Sequence, residues 1–125
     1  MNSYQDLKVW QRAMDLAVES YEVTKDFPRE EVYGLVSQIR RAAISVPANI
    51  AEGHGRNATG SYVQHLKIAQ GSLKELETHF ILSSRLGLLS KDRIKTVMSM
   101  SEEVGKMLRS LIRSLQEERN GRTTE

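Results

Sequence analysis

The residues of this 125-residue chain with the clearest capacity for chemistry are its three histidines. Nucleophilic catalysis needs a base held beside a nucleophile, and His54, His65 and His79 have no spacing that pairs them. A di-iron bundle needs Glu-x-x-His on two helices, and no glutamate here is followed by histidine at that spacing. Glu75 and His79 lie four residues apart, which is only a weak metal pair. The absence of cysteine excludes disulfides, thiolate zinc sites and a cysteine nucleophile.

A polar row runs through the second quarter of the chain at spacings of three and four residues. Its members are Gln38, Arg41, Ser45, Asn49 and Glu52. Buried polar groups need hydrogen-bonding partners, and we expect these from Glu75 and His79. The row has two interpretations: a ligand or catalytic site, or an interhelical network of hydrogen bonds and salt bridges that fixes register. We favour the network, because no paired base and nucleophile accompany the row.

A basic ridge occupies the last quarter of the chain. When the residues are plotted at ~100° apart, its members fall within about 60° of one another. They are Lys91, Lys95, Lys106, Arg109 and Arg113, with Glu102 interrupting them. Such a ridge suits phosphate binding, because each neutralised phosphate releases counterions; an ordinary solvated helix face is the alternative. No aromatic residue lies on the ridge, so any contact is expected with the nucleic-acid backbone and with weak sequence specificity.

The overall composition is that of one soluble globular domain. Hydrophobic residues make up 39% and charged residues 27% of the chain. There are 18 basic and 16 acidic residues, a net charge of +2, which excludes a histone-like polycation but not a local basic patch. No apolar run approaches the ~18 residues of a membrane span, and the N-terminus lacks a signal-peptide pattern. We therefore expect a cytoplasmic protein.

Apolar residues at spacings of three and four predict four helices, at about 6–26, 28–53, 61–86 and 90–118. Pro28 begins the second helix, Gly87 ends the third in the left-handed conformation, and Ser90 caps the fourth. Pro47 is expected to kink the second helix. Residues 119–125 are expected to form a frayed polar tail. Short connections make neighbouring helices antiparallel, so residues 1–125 are predicted to form a single all-α domain, an up-down-up-down four-helix bundle.

The first predicted helix has an unusually wide apolar arc. Two apolar rows together cover roughly 200°, whereas a surface helix of a monomeric bundle needs little more than about 100°. The surplus indicates contact with another subunit, since excess apolar surface usually marks an interface. The interface residues expected on this basis are Val9, Trp10, Ala13, Leu16 and Val23. The alternative is that this helix is simply the most buried of the four.

Several motifs together resemble a known family. They are residues 6–11 (DLKVWQ), 27–28 (FP), 33–35 (YGL), 37–43 (SQIRRAA), 45–53 (SVPANIAEG) and 71–78 (GSLKELET). These segments resemble the four-helix bundle proteins encoded in intervening sequences of bacterial large-subunit ribosomal RNA genes, over about residues 4–115. The resemblance implies a ring-like homopentamer with no established enzyme activity. The chain is also similar to the accessory variability protein of diversity-generating retroelements, a pentameric barrel that binds nucleic acid and a reverse transcriptase through basic surfaces.

The leading hypothesis is a non-enzymatic oligomeric bundle that binds nucleic acid or a nucleoprotein partner through basic surfaces. Its alternative is a protein-binding or structural scaffold with no nucleic-acid role. No cofactor, metal or membrane partner is expected. No binding residue is carried over from the family, because the basic ridge lies outside the shared motifs.

Overall fold

A computed structural model describes residues 3–124, with side chains described as far as Gly121. Its four α-helices are α1 (Lys8–Thr24), α2 (Ser37–His54), α3 (Thr59–Arg85) and α4 (Lys91–Thr124). Each helix packs against the next, and α4 closes the bundle against α1. No strand occurs between residues 3 and 124. The predicted antiparallel four-helix bundle is confirmed.

The core is built by one apolar stripe from each helix. Leu16 of α1, Ile50 of α2, Phe80 of α3 and Leu108 of α4 are all fully buried. Burying such a side chain contributes roughly 1.5–3 kcal/mol, so these stripes hold the bundle together. None of the helices in the described part of the chain has the length and apolar character needed to cross a bilayer.

The segment predicted as one helix over 28–53 is divided in the structure. A 3₁₀ turn covers Arg29–Glu31, a π-helical turn covers Val32–Val36, and α2 begins only at Ser37. Gly34 has the non-helical angles φ −107° and ψ −106° inside this π-helical turn. The irregularity therefore falls at Gly34, whereas Pro47 lies buried inside an α2 without non-helical residues.

The helix-ending signals around residue 87 are confirmed. Gly87 has φ +77°. The amide of Leu88 donates to the carbonyl of Ser83 at 2.9 Å, and that of Gly87 donates to Ser84 at 3.0 Å, which is the Schellman pattern. Ser90 Oγ then accepts from the amide of Arg93 at 3.2 Å and caps α4. The Schellman end of α3 and the Ser90 cap of α4 thus define the connection between the two helices.

Both ends of the chain differ from the predicted boundaries. Tyr4–Asp6 form a 3₁₀ turn, so α1 begins at Lys8 rather than at residue 6. At the other end α4 continues to Thr124, beyond the end predicted at 118, and Glu125 lies outside the described residues. The Arg119 side chain reaches the start of α3, where its Nη1 atom lies 3.1 Å from the position that a Cβ on Gly60 would take.

Helices α2 and α3 approach closely at Gly53. A Cβ added to Gly53 would lie 2.8 Å from Cβ of His65 and 3.2 Å from the carbonyl oxygen of Tyr62. The Tyr62 ring packs edge-on against His54, with 5.9 Å between the ring centroids. Glycine is therefore required at this crossing because the two helices leave no room for a Cβ, and not because of its backbone angles.

Burial of Tyr62 predicts a loss of stability at high pH. Burial raises the pKa of the Tyr62 phenol, because the ionised form is poorly solvated there. The folded state keeps this proton after the unfolded chain has released it, so the free energy of unfolding falls as pH rises above about 10. Urea midpoints measured across this range should fall less steeply for Tyr62→Phe than for the wild type. Identical slopes would contradict the assignment to Tyr62.

Candidate functional site

A groove between α3 and α4 is the most chemically suggestive concave surface of the described chain. Its cavity volume is about 380 Å³. The lining residues are Lys67, Gln70, Gly71, Leu73, Lys74, Gly105 and Arg109. A second hollow of about 370 Å³ continues along the same two helices, past Glu77, Met98 and Ser101. We call the first hollow the α3–α4 groove.

Two glycines on facing helices make the α3–α4 groove. Nothing lies within 4 Å of a Cβ built on Gly71, so the wall of α3 is open there. A Cβ on the buried Gly105 would lie 3.5 Å from Nη1 of Arg109 and 3.5 Å from Cδ2 of Leu73. The Arg109 guanidinium therefore lies back over Gly105, beside the buried Leu73. The groove combines an apolar floor with a cation at its edge.

The electrostatics of the α3–α4 groove are unevenly balanced. Lys74 Nζ lies 3.3 Å from Oε1 of Glu77. The other carboxylate oxygen of Glu77 accepts a hydrogen bond from the buried Ser101 hydroxyl. Among residues 3–121, no carboxylate forms an ion pair with Lys67 or Arg109. Lys67 and Arg109 are thus available to an anionic ligand, although Arg109 also lines the second hollow together with Glu77 and Glu102.

The structure divides the basic ridge predicted on α4. Arg109 lies in the α3–α4 groove, and the exposed Lys106 and Arg113 lie within about one turn of it. Lys95 lines a separate hollow with Thr96, Ser99 and Met100. Lys91 stands about 27 Å along the helix from Arg109. Only the last three residues of the ridge are therefore near the groove, and Lys106 itself lines a further hollow with Glu102 and Glu103.

Lys67 and Lys74 were missed by the sequence reasoning. They belong to α3, and their proximity to Arg109 depends on the register between α3 and α4. The available signal was Gly71, an exposed glycine inside a long helix with one lysine four residues before it and another three residues after it. An exposed glycine lowers the stability of a helix, so a glycine at such a position indicates a packing or functional role.

The polar row forms a short interhelical network at its centre. Ser45 Oγ lies 2.8 Å from Ser72 Oγ of α3. Asn49 Nδ2 donates to the carbonyl of Ser45 at 2.9 Å, and Asn49 Oδ1 lies 3.2 Å from Nδ1 of His65. Because Oδ1 can only accept, His65 must carry its proton on Nδ1. The partners on α3 are therefore Ser72 and His65.

The expected partners Glu75 and His79 are not joined to the row. His79 Nε2 is buried without a hydrogen bond and lies 3.8 Å from Oε1 of Glu75, in its own helix. Glu52 pairs with Arg56 one turn away, at 2.9 Å. Gln38 and Arg41 make no hydrogen bond to Glu75 or His79 within the described range. The prediction for Glu75 and His79 is wrong, because the row is hydrogen-bonded to Ser72 and His65 of α3 instead.

The network lacks the geometry of a hydrolytic site. His65 contacts an amide oxygen and no hydroxyl, so no base is hydrogen-bonded to Ser45 or Ser72. In the described part of the chain, no three His, Asp or Glu side chains come together as a metal site would need. The arrangement can satisfy half-buried polar groups and fix the register of α2 against α3.

The interface residues predicted on α1 need correction. Val9, Ala13, Leu16 and Val23 are buried in the core of their own chain, and Trp10 is half-buried. Another subunit cannot reach these four while the bundle is folded. The apolar residues that α1 and α2 do expose are Met14, Val18, Tyr21 and Ile44, which we call the α1–α2 face.

The α1–α2 face is bounded at one end by a cation. The guanidinium of Arg40 lies 4.4 Å from the centroid of the Tyr21 ring and donates from Nε to Thr24 Oγ1 at 3.0 Å. Val18 is 60% exposed and Ile44 48% exposed, which is high for large apolar side chains. This face and the α3–α4 groove lie on opposite sides of the bundle, because α1 and α2 form one side and α3 and α4 the other.

Comparison with known proteins gives one family and one fold. The model of the 23S rRNA-intervening sequence protein family matches residues 5–110. A solved structure from Bacteroides thetaiotaomicron, described as a protein of unknown function from the S23 ribosomal protein family, aligns with a TM-score of 0.76. The two sequences are 23% identical, and the alignment covers 83% of this chain and 97% of that one, so the likeness concerns the fold.

Neither comparison indicates a family of enzymes. Curated proteins give no match. The family match, by contrast, spans most of the bundle, from the turn before α1 into the second half of α4. The chain belongs to the 23S rRNA-intervening sequence protein family.

Proposed function

We propose that this protein is a non-enzymatic, self-associating helical bundle that binds the backbone of nucleic acid through its α3–α4 side. The observation that carries this proposal is the placement of Lys67 and Arg109 on one groove with no carboxylate paired to either in the described chain. Lysine and arginine held without an internal counterion are suited to phosphate.

The wider α3–α4 side supports the same function. Its two hollows are lined by three basic side chains, Lys67, Lys74 and Arg109, and by two carboxylates, Glu77 and Glu102. Glu77 is already engaged by Ser101 and Lys74. The excess of one positive charge per chain gives modest affinity alone, because each phosphate contact contributes little at physiological salt.

Self-association would multiply this modest charge. The α1–α2 face exposes apolar side chains that water solvates poorly, and burying them against a second copy of the chain is favourable. Because the α3–α4 groove is on the other side, it would remain open in such an assembly. Several grooves on one particle would engage one strand with a combined affinity far above that of a single chain.

Charge reversal at the groove tests nucleic-acid binding. We expect Lys67→Glu with Arg109→Glu to weaken binding of a labelled mixed-sequence RNA about tenfold or more, by fluorescence anisotropy at low salt. Lys91→Glu with Lys95→Glu is the matched control, because it changes the net charge equally but lies off the groove. The control should lose less than about threefold. Equal losses, or a wild type that binds no RNA or DNA, would overturn the proposal.

A structural or protein-binding scaffold is the second candidate, and the exposed α1–α2 face favours it. Light scattering after nuclease treatment separates the two functions. An assembly that forms without nucleic acid and binds none at low salt would support the scaffold. A monomer at micromolar concentration would contradict self-association under either function.

A further inference from the structure

We infer that the α3–α4 groove seats one unstacked nucleotide, so that the nucleic acid bound by this protein is single-stranded. This inference rests on the proposed function and names its substrate class. It is argued from the shape of the groove and from the groups that line it.

The shape of the groove fits one nucleotide rather than the side of a duplex. Its volume of about 380 Å³ lies at the low end of the roughly 300–1,000 Å³ that small ligands occupy. Its floor is the buried Leu73 side chain between two glycine backbones. A charged phosphate group gains no favourable contact from an apolar hollow. A base released from its stack has an apolar face that such a floor can cover.

The lining groups match the parts of a nucleotide. Arg109 presents a planar guanidinium beside Leu73, and guanidinium planes stack on unpaired bases. The half-buried Gln70 amide makes no hydrogen bond within the described chain and can bind the edge of a base. Lys67 and Lys74 stand on α3 on either side of Gly71, where they can meet the phosphates before and after the seated base.

Gly71 keeps the groove open. No atom lies within 4 Å of a Cβ at this position, so a larger side chain would take up groove space without displacing its neighbours. A glycine in an exposed helical position costs stability relative to alanine. Under this proposal, glycine is kept at position 71 despite this loss of stability, because it leaves space for the base.

The test compares two leucine substitutions at helical glycines. Gly71→Leu fills the groove and leaves every charge in place. Gly121→Leu is the matched control, because a Cβ there also meets nothing within 4 Å and the position is far from the groove. Both variants are titrated with a labelled RNA of about 12 nucleotides, once single-stranded and once annealed to its complement. Equal urea midpoints for the two variants show that Gly71→Leu still folds.

We expect the wild type to prefer the single strand and Gly71→Leu to lose about tenfold in affinity for it, with duplex affinity within about twofold of the wild type. Gln70→Ala should weaken single-strand binding in the same direction by a smaller factor. A Gly71→Leu variant that binds the single strand as tightly as Gly121→Leu would overturn the inference and leave the proposed function standing. Loss of all nucleic-acid binding by the wild type would instead remove the proposed function.

Competition with adenosine monophosphate distinguishes a strand from a free nucleotide. Adenosine monophosphate has one phosphate and can meet only one of Lys67 and Lys74, so a hundredfold excess over the strand should displace little of it. Displacement at equal concentrations would identify a free nucleotide as the ligand and overturn the inference.

Discussion

Replacing Gly53 by alanine is expected to lower the free energy of unfolding by about 1–3 kcal/mol. The added Cβ would lie 2.8 Å from Cβ of His65 and 3.0 Å from the Tyr62 ring. It would also lie 3.2 Å from a backbone oxygen of α3, which cannot rotate away as a side chain can. Relief requires α2 and α3 to separate, and the hydrogen bond between Ser45 and Ser72 depends on the same crossing. Urea unfolding followed by circular dichroism measures the change.

Gly71→Ala is the matched control for Gly53→Ala. The same chemical change at a position with no neighbour within 4 Å should raise the free energy of unfolding by about 0.5–1 kcal/mol, because alanine is the better helix former. The two variants should therefore shift the urea midpoint in opposite directions. Stabilisation by Gly53→Ala would show that the α2–α3 crossing is looser than the structure has it.

Introducing Val18→Glu together with Ile44→Glu is expected to convert the proposed assembly into monomers. Both side chains are large, apolar and exposed, one on α1 and the other on α2. In an interface, the two carboxylates would lose their hydration without a partner, at a cost of several kcal/mol per buried charge. In the monomer they remain in water, so the bundle itself should fold as before. Light scattering at micromolar concentration measures the molar mass.

The control for this pair places the same charges on the other half of the bundle. Ile81 and Leu86 are also exposed apolar residues, near the C-terminal end of α3. Ile81→Glu with Leu86→Glu should leave the molar mass unchanged. If both pairs dissociate the assembly, added charge is the cause, and if neither does, the α1–α2 face is not the contact surface.

These two predictions connect the fold with the proposed function. The Gly53 crossing holds α3 against α2, and α3 carries Lys67, Gln70 and Gly71 to the groove. The α1–α2 face would bring several grooves into one particle. Monomers made by Val18→Glu with Ile44→Glu should therefore bind RNA more weakly, although every groove residue is intact.

The local features of the fold were accessible from the sequence. Apolar residues at spacings of three and four predicted four helices, because that spacing places them on one helical face. Gly87 and Ser90 marked a helix end and a helix start, since each acts through backbone groups one turn away. The break at Gly34 was missed, because a single glycine inside an apolar pattern is compatible with a continuous helix.

What only the tertiary structure decided is which separate segments meet. The wide apolar arc of α1 indicated burial, but periodicity does not distinguish burial within a chain from burial between chains. The structure places Leu16 in the chain's own core and leaves Val18 exposed. The α3–α4 groove likewise unites Lys67 with Arg109, which are far apart in the chain. Their proximity depends on the register of two packed helices, and register is set by the whole core rather than by either segment.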